Sequence, residues 1–432
     1  MVKDIEKQLL KAEKLYKAMQ YKRAAKLYDS VGDSYITQGN FELARDCYFD
    51  AAKSCMNEDK YLSGIDFLRK AGNASLLNNQ VLEANQFFEE AVKYIPNLRS
   101  TSDRNHNFIL FSCLSYLCHF VKGEQEEGLK LVKKIKSYVD DTYFKENSLI
   151  RLITNLTIVK TEKNKKYIER IKKDFTNLKF REAEILLVKQ ALVIAKTYTS
   201  LAIDLSFDKD VYTTNEPINL SLDINTEPLL EISKEDFYNY NLKELKISKI
   251  GITLSDNLTS QRNPELPIVI EIGQKRQINL VIKPHFQMEN PFVGPILVTA
   301  ELNESLNFIY EITQILKPNL ISPPPTLEIS LKNLRPPLID QSFPLEILIE
   351  NKSEGDALNL NIDVEFPEEI KVMRGTLKKQ IYSLRSNENI KWEINLKPTE
   401  AGEYIIKVLS KFNDPDQNLI EDIKEFPLSI KM

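Results

Sequence analysis

The sequence predicts a multidomain α + β protein, in which an α-solenoid of helical repeats is followed by two β-sandwiches. Three observations carry this prediction. Only one of the 19 prolines, Pro96, precedes residue 201, and proline is excluded from helix interiors but tolerated in turns and edge strands. Apolar side chains recur every twenty residues in the first half. After residue 202 the hydrophobic period falls from about 3.6 residues to about 2, the period of half-buried strands.

The twenty-residue period defines the first helices. Four series of positions follow it, at a spacing within each unit that places side chains on one helix face. The series are Tyr21, Phe41, Tyr61 and Val81; Ala24, Ala44, Gly64 and Ala84; Tyr28, Tyr48, Leu68 and Phe88; and Val31, Ala51, Ala71 and Ala91. Small residues that alternate with large ones let neighbouring helices approach closely. We therefore expect antiparallel helices of about sixteen residues. Their breaks are expected near Gln20, Gly39-Asn40, Asp59 and Asn78-Asn79.

Two successive helices form a unit of forty residues. One copy contains Tyr28, Val31-Gly32, Tyr35, Gly39, Phe41, Ala44, Tyr48 and Ala51, and the next contains Leu68, Ala71-Gly72, Ser75, Asn79, Val81, Ala84, Phe88, Ala91 and Pro96. These residues resemble the tetratricopeptide pattern. The unit length and the phrases at 29–35 and 71–74 make residues 5–96 similar to the soluble NSF attachment protein (SNAP) variety of these repeats. The resemblance implies a solenoid whose groove binds peptides or helices.

The sequence departs from the SNAP pattern at two places. The turn after the first helix, residues 18–22, is not the hydrophobic membrane-touching loop that the family implies. The tetratricopeptide carboxylate clamp is also incomplete. Its positions hold Arg69 and Asn73 in the second copy. The first copy has Asp29 and Asp33 there, and two aspartates would repel a C-terminal carboxylate.

The domain boundaries follow from these changes of pattern. Further helices are expected at about 106–121, 124–139, 146–160, 163–177 and 180–201. The predicted domains are a helical repeat domain at 1–202, a β-sandwich at 203–317, a proline-rich linker at 318–325 and a second β-sandwich at 326–432. Consecutive prolines favour extended geometry, so the linker is expected to be stiff.

The two sandwiches are predicted to be copies of one fold. Residues 278–284 are echoed at 392–398, and residues 294–298 are echoed at 402–406. The second copy carries Asn351, Ser353, Gly355, Ala357 and Asn359 at alternate positions, followed by Pro367, Gly402 and Tyr404. This pattern resembles the immunoglobulin-like adhesion modules of archaea and bacteria called CARDB. The resemblance implies immunoglobulin-like β-sandwiches.

Motifs for nucleotide binding and hydrolysis are missing from the sequence, which contains no P-loop, GxGxxG, GxSxG or HExxH. We therefore predict no enzymatic activity, cofactor, metal or small-molecule substrate. His119 beside Cys118 is better interpreted as core packing than as a base and nucleophile, since adjacent helix residues point in different directions. The acidic pairs at 140–141 and 368–369 are interpreted as solvated. The four cysteines are predicted to be buried, reduced thiols.

A basic run is the candidate docking site. It consists of Lys160, Lys163, Lys165, Lys166, Arg170, Lys172 and Lys173. Residues 1–200 hold 34 basic and 26 acidic side chains, a balance of +8, whereas the rest of the chain carries −12. The run could dock an acidic partner, an anionic membrane surface or the protein's own C-terminal half. The alternative is a solvated helix face. Nucleic acid is not expected as a partner, because the overall pI is about 5.8.

The combined pattern predicts a protein–protein interaction scaffold or adaptor. Its expected partners are a peptide or helix in the repeat groove and an anionic membrane surface. The layout of helical repeats followed by sandwiches is similar to tethering subunits of membrane-traffic complexes such as TRAPP. The alternatives are a regulatory or sensor repeat protein and a structural component of a cell-envelope assembly. No apolar signal segment is visible near Met1, so we expect a cytoplasmic protein, peripheral to membranes.

Overall fold

The chain forms a helical N-terminal region followed by antiparallel β-sheets, so it is a multidomain α + β protein as predicted. The computed structural model describes residues 2–214, 216–235, 237, 240–262, 264–285 and 290–432. In that part of the chain the helices of the N-terminal region are α1 (Val2–Lys17), α2 (Tyr21–Thr37), α3 (Phe41–Met56), α4 (Tyr61–Leu77), α5 (Val81–Tyr94), α6 (Thr101–Val121), α7 (Gln125–Tyr138), α8 (Asp141–Glu146), α9 (Ser148–Glu162), α10 (Lys165–Thr176) and α11 (Glu182–Ser200).

Helices α2 to α5 follow the twenty-residue period. Each begins at the first position of the unit, and all twelve residues of the other three series are buried. Each preceding turn contains one residue with a positive φ angle, namely Met19, Gly39, Asp59 and Asn79. The next backbone N–H then donates to the carbonyl five positions earlier, as from Asn40 to Tyr35 at 2.9 Å. This hydrogen bond closes the helix end and starts the antiparallel return.

Helix α11 lies at the centre of the helical region. It packs against α4, α6, α9 and α10, and its middle turns are buried on all sides, as at Val188 and Leu192. Helix α6 begins at Thr101, earlier than expected, because the Ser100 hydroxyl accepts a hydrogen bond from Asp103 N at 3.2 Å. The short helix α8 was not predicted.

The second half consists of strands. In the described residues these are β1 (Ala202–Phe207), β2 (Val211–Thr213), β3 (Ile218–Asn225), β4 (Glu244–Leu254), β5 (Leu258–Arg262), β6 (Ile268–Glu271), β7 (Lys275–Pro284), β8 (Val293–Leu302), β9 (Leu306–Ile312), β10 (Asn319–Ile321), β11 (Leu327–Asn333), β12 (Phe343–Asn351), β13 (Ala357–Glu365), β14 (Ile370–Arg374), β15 (Lys378–Leu384), β16 (Asn389–Pro398), β17 (Gly402–Asn413) and β18 (Leu419–Ile430). One short helix, α12 (Leu230–Lys234), lies between β3 and β4.

The two β regions have the same strand order. The first has sheets β1-β3-β7-β5 and β6-β4-β8-β9, and the second has sheets β11-β12-β16-β14 and β15-β13-β17-β18. The segments that echo one another in sequence lie on equivalent strands, β7 with β16 and β8 with β17. The single tryptophan, Trp392, lies on β16, where its indole N–H donates to Thr376 O at 3.2 Å.

A hydrophobic core extends across residue 202. One continuous core joins α4 to α11 with the first pair of sheets. Tyr198 packs edge-on against Phe308 with 5.8 Å between ring centroids, and the Tyr310 hydroxyl donates to Leu201 O at 2.9 Å. The second pair of sheets has a separate core. Part of the proline-rich segment, β10, pairs in parallel with β2.

Candidate functional site

The face that α4 turns toward α11 holds a buried carboxylate. Arg69 on α4 donates two hydrogen bonds to the carboxylate of Glu184 on α11, from Nε to Oε1 at 2.6 Å and from Nη2 to Oε2 at 2.7 Å. Asn73 Nδ2 donates to Oε1 at 3.2 Å, and the Arg181 backbone N–H donates to Oε2 at 2.9 Å. The Glu184 side chain is 0% exposed. Such two-pronged contacts are among the stronger hydrogen bonds in proteins.

Arg69 and Asn73 are the residues that match the carboxylate clamp in the second copy. The carboxylate they hold belongs to the chain itself, on α11. Helix α11 therefore covers the side of α4 and α6 that carries Arg69 and Asn73. Because the residues of α11 are part of the central core, we expect this surface to stay covered.

The neighbouring section of the same face, over α2 and α4, is open. A cleft of about 480 Å³ lies there, and its lining includes Lys22, Lys26, Leu62, Phe67 and Lys70. Leu62 is 52% exposed. An exposed leucine among side chains of both charge signs suits an amphipathic helix or peptide better than a uniformly charged ligand.

Asp29 and Asp33, the clamp positions of the first copy, border this open section. Lys70 from α4 forms ion pairs with both, and the Tyr48 hydroxyl donates to Asp33 Oδ1 at 2.6 Å. Burial, followed by the hydrogen bond to Asp33, raises the pKa of Tyr48 well above its usual value. The carboxylates are thus partly neutralised within the protein.

The basic run divides between two surroundings. Lys163 Nζ donates to Glu311 O at 2.6 Å and lies 3.8 Å from the Tyr310 ring centroid. Burial lowers the pKa of Lys163 and of Lys160. Lys172 pairs with Glu235 at 3.0 Å. These lysines therefore face the first β region, so part of the run has its partner inside the chain.

Glu235, which precedes β4, forms ion pairs with two lysines of the helical region. Lys172 and Lys196 lie 3.0 and 3.3 Å from its carboxylate oxygens. Burial raises the pKa of Glu235, but the hydrogen bond from Lys172 and the charge of Lys196 outweigh it, so the pKa lies below its usual value. The carboxylate stays charged at neutral pH and links the two regions.

The remaining members of the run point to solvent. Lys165, Lys166, Arg170 and Lys173 are exposed, and Lys166 and Arg170 lie over the Tyr167 ring at 4.8 and 5.3 Å from its centroid. Arg170 and Lys173 line a second cleft, together with Lys145 and Arg151 from α8 and α9. Lys145 and Arg151 were not among the predicted site residues, since they precede the run in sequence.

The other sequence candidates have structural roles. His119 Nδ1 lies 2.7 Å from Glu124 Oε2 and its Nε2 lies 3.2 Å from Asn85 Nδ2. Burial raises the pKa of the Cys118 thiol. Asp140 accepts a hydrogen bond from Tyr143 N at 2.8 Å and so caps α8. In the described part of the chain, no three His, Cys, Asp or Glu side chains are grouped so that they could hold a metal ion.

Among the described residues, none of the helices combines the length and the apolar character that a membrane span requires. No family model matches the chain, and no curated protein matches it. Among solved structures, 56% of the chain is similar to red sea bream transglutaminase, with 8% sequence identity and a TM-score of 0.19. The match spans 33% of the transglutaminase chain, about a third of its length.

This match corrects one prediction from the sequence. The missing catalytic motifs predicted a chain that is not an enzyme, whereas one of the solved structures that match is a transglutaminase by its title. We therefore withdraw that prediction. The identity of 8% and the TM-score of 0.19 are too low to transfer a fold, a reaction or a catalytic residue to this chain.

Proposed function

We propose that this protein is an interaction scaffold or adaptor that binds other proteins through a SNAP-like tetratricopeptide repeat domain. Its two β regions are immunoglobulin-like sandwiches in this proposal. The scaffold acts in the cytoplasm, peripheral to membranes, in vesicle trafficking or tethering. The repeat resemblance and the layout of the chain supply the trafficking part of the proposal.

The docking of α11 is the observation that carries the binding role. The face of α4 binds a helix within the protein itself, through Arg69 and Asn73 on one carboxylate. The equivalent face of α2 lies forty residues earlier in the repeat, and it carries no helix of this kind among the described residues. Repeat solenoids bind peptides and helices on such surfaces.

The open section determines what kind of segment binds. Arg69 and Asn73 are occupied, so the partner does not dock by a terminal carboxylate at α4. Lys22 and Lys26 offer positive charge on α2, whereas Asp66 on α4 is paired with Arg181, and Leu62 offers an exposed apolar side chain. The partner is therefore an amphipathic helix or peptide with an apolar anchor and acidic side chains.

The same strand order in both β regions supports their interpretation as two copies of one sandwich. Buried and less buried side chains alternate along all nine residues of β12, as expected for sheets with one face in a core. We assign no ligand to the sandwiches. Their role in the proposal is to hold the repeat domain at one end of the scaffold.

Affinity purification from the native host, followed by mass spectrometry, tests the scaffold role. Leu62→Glu should remove the proteins that dock on the open section. Leu129→Glu on α7 is the matched control, since Leu129 is 44% exposed and lies away from that section. Partners lost with the first variant and retained with the second would support the proposal. An unchanged set of partners with Leu62→Glu would show that this face does not bind them.

A further inference from the structure

A cleft between α8, α9 and α10 shares no lining residue with the cleft over α2 and α4. Its volume is about 470 Å³, which is in the range of pockets that hold small ligands. It is lined by Phe144, Lys145, Arg151, Thr154, Asn155, Arg170, Lys173 and Asp174. The lining thus combines four cations with one carboxylate, a net formal charge of +3.

The carboxylate is already neutralised. Arg151 holds Asp174 through Nη2 to Oδ1 at 2.6 Å and through Nε to the same oxygen at 3.1 Å. The other three cations, Lys145, Arg170 and Lys173, form no ion pair with any carboxylate in the described residues. Their positive charges therefore converge on one cleft without compensation from the protein.

The walls of the cleft are held in place before any ligand arrives. Arg151 on α9 reaches Asp174 on α10, and its Nη1 donates to Glu146 O at the end of α8 at 2.6 Å. One guanidinium thus ties the three helices together. A site whose walls are fixed in advance loses less conformational entropy on binding.

Thr154 supplies a further polar group beside the cations. Its hydroxyl is buried and has no hydrogen-bond partner among the described residues, although the residue lines the cleft. A buried hydroxyl without a partner is uncommon in folded proteins. A rotation of this side chain would offer the hydroxyl to a ligand oxygen.

We propose that this cleft binds a multiply phosphorylated small ligand of the inositol phosphate class, either free or as a lipid headgroup. A single carboxylate would compensate one of the three cations, whereas several phosphates on one ring would compensate all of them. The Arg170 guanidinium can bind two phosphate oxygens at once, and the lysines act as point charges. This proposal does not depend on the repeat face and goes beyond the scaffold role.

The first arm of the test uses free myo-inositol hexakisphosphate as the probe, with calorimetry on the full chain. The double variant Arg170→Glu/Lys173→Glu should weaken its binding by about a hundredfold or more, since it removes two contacts and each is a hydrogen bond to a charged group worth about tenfold. Lys133→Glu/Lys136→Glu on α7 is the matched control, because it makes the same charge change at exposed positions away from the cleft. The double variant Arg170→Gln/Lys173→Gln removes the two charges without reversing them. It therefore shows whether binding is lost without the charge repulsion that two glutamates could introduce.

The second arm identifies the source of the ligand. Vesicles that contain a phosphoinositide are compared with phosphatidylserine vesicles of equal surface charge, and an acidic peptide serves as a third probe. The proposal is supported if the protein binds the free probe or the phosphoinositide vesicles and both cleft variants abolish that binding. Binding of the free probe identifies a free ligand, whereas binding of phosphoinositide vesicles alone identifies a lipid headgroup. The proposal is overturned if no probe binds, if the control variant matches the cleft variants, or if the peptide or phosphatidylserine binds as tightly.

Discussion

At the scale of single residues, glycine determines how closely the paired helices approach. A Cβ atom at Gly72 would lie 2.5 Å from the Phe88 ring, and a Cβ at Gly32 would lie 2.7 Å from the equivalent Tyr48 ring. Both rings belong to the same twenty-residue series and are buried. The glycine is therefore needed at these positions for the space it leaves.

Gly72→Ala should destabilise the helical region by about 1–3 kcal/mol, because the buried Phe88 ring has no room to move. Gly64→Ala in the same helix is the control. Its Cβ would meet the end of the flexible Met56 side chain, so the usual gain of about 0.4–1 kcal/mol from replacing a helix glycine should appear. Urea unfolding of both variants measures the two signs. Shifts of the same sign and size would contradict this packing.

These buried positions could be predicted from sequence because helix packing repeats locally. The Glu184 site could not. Its partner Arg69 lies 115 residues away in sequence, and the periodic pattern gives no information about pairing over that distance. Glu184 lies between Ala183 and the apolar run Ile185–Val188, and this position was the signal that could have marked a buried charge.

The basic run shows the same limit on a smaller scale. The sequence indicated seven cations but not which of them shared a face. Lys166, Arg170 and Lys173 are four and three residues apart, so this spacing could have grouped them. Whether Lys163 and Lys172 faced solvent depended on the first β region, which no local pattern could place against α10.

At the scale of whole elements, the docking of α11 rests on one buried ion pair and its surrounding core. Breaking a buried pair by removing one partner costs about 3–5 kcal/mol. Arg69→Met should therefore destabilise the helical region by that amount. Adding Glu184→Leu should recover part of the loss, because no buried charge is left unpaired.

Chemical denaturation of the two single variants and the double variant forms the cycle that checks this. Arg181→Met is the control, since the side chains of its ion pair with Asp66 are 35% and 52% exposed and the pair should contribute no more than about 1 kcal/mol. If the effects of Arg69→Met and Glu184→Leu were additive, the two side chains would not be coupled and the docking of α11 would have another cause.

At the scale of the whole molecule, one hydrophobic core extends across the change of pattern near residue 202. The change of hydrophobic period lies between α11 and β1 as predicted, but one core continues across it. Sequence period reports secondary structure, and it contains no information about which surfaces meet. The second pair of sheets has its own core, and the first helices add two smaller clusters beside the large one.

A fragment of residues 1–317 should unfold in one cooperative transition. A fragment of residues 1–202 should melt at a lower temperature, because it exposes the apolar surface around Tyr198 that the first β region covers. Thermal circular dichroism of both fragments, with residues 326–432 as a separately folded control, measures the difference. Equal melting temperatures for the two longer fragments would show that the shared core adds no stability.

The position of the only tryptophan has a spectroscopic consequence. Trp392 lies in the second pair of sheets, half-buried against that core, whereas the helical region carries tyrosine and phenylalanine alone as its aromatic rings. Emission excited at wavelengths that tyrosine does not absorb therefore reports on the last quarter of the chain. Far-ultraviolet ellipticity reports mainly on the helices. In the full-length protein, tryptophan fluorescence and far-ultraviolet ellipticity recorded along one denaturant gradient therefore follow the unfolding of the second pair of sheets and of the helical region separately.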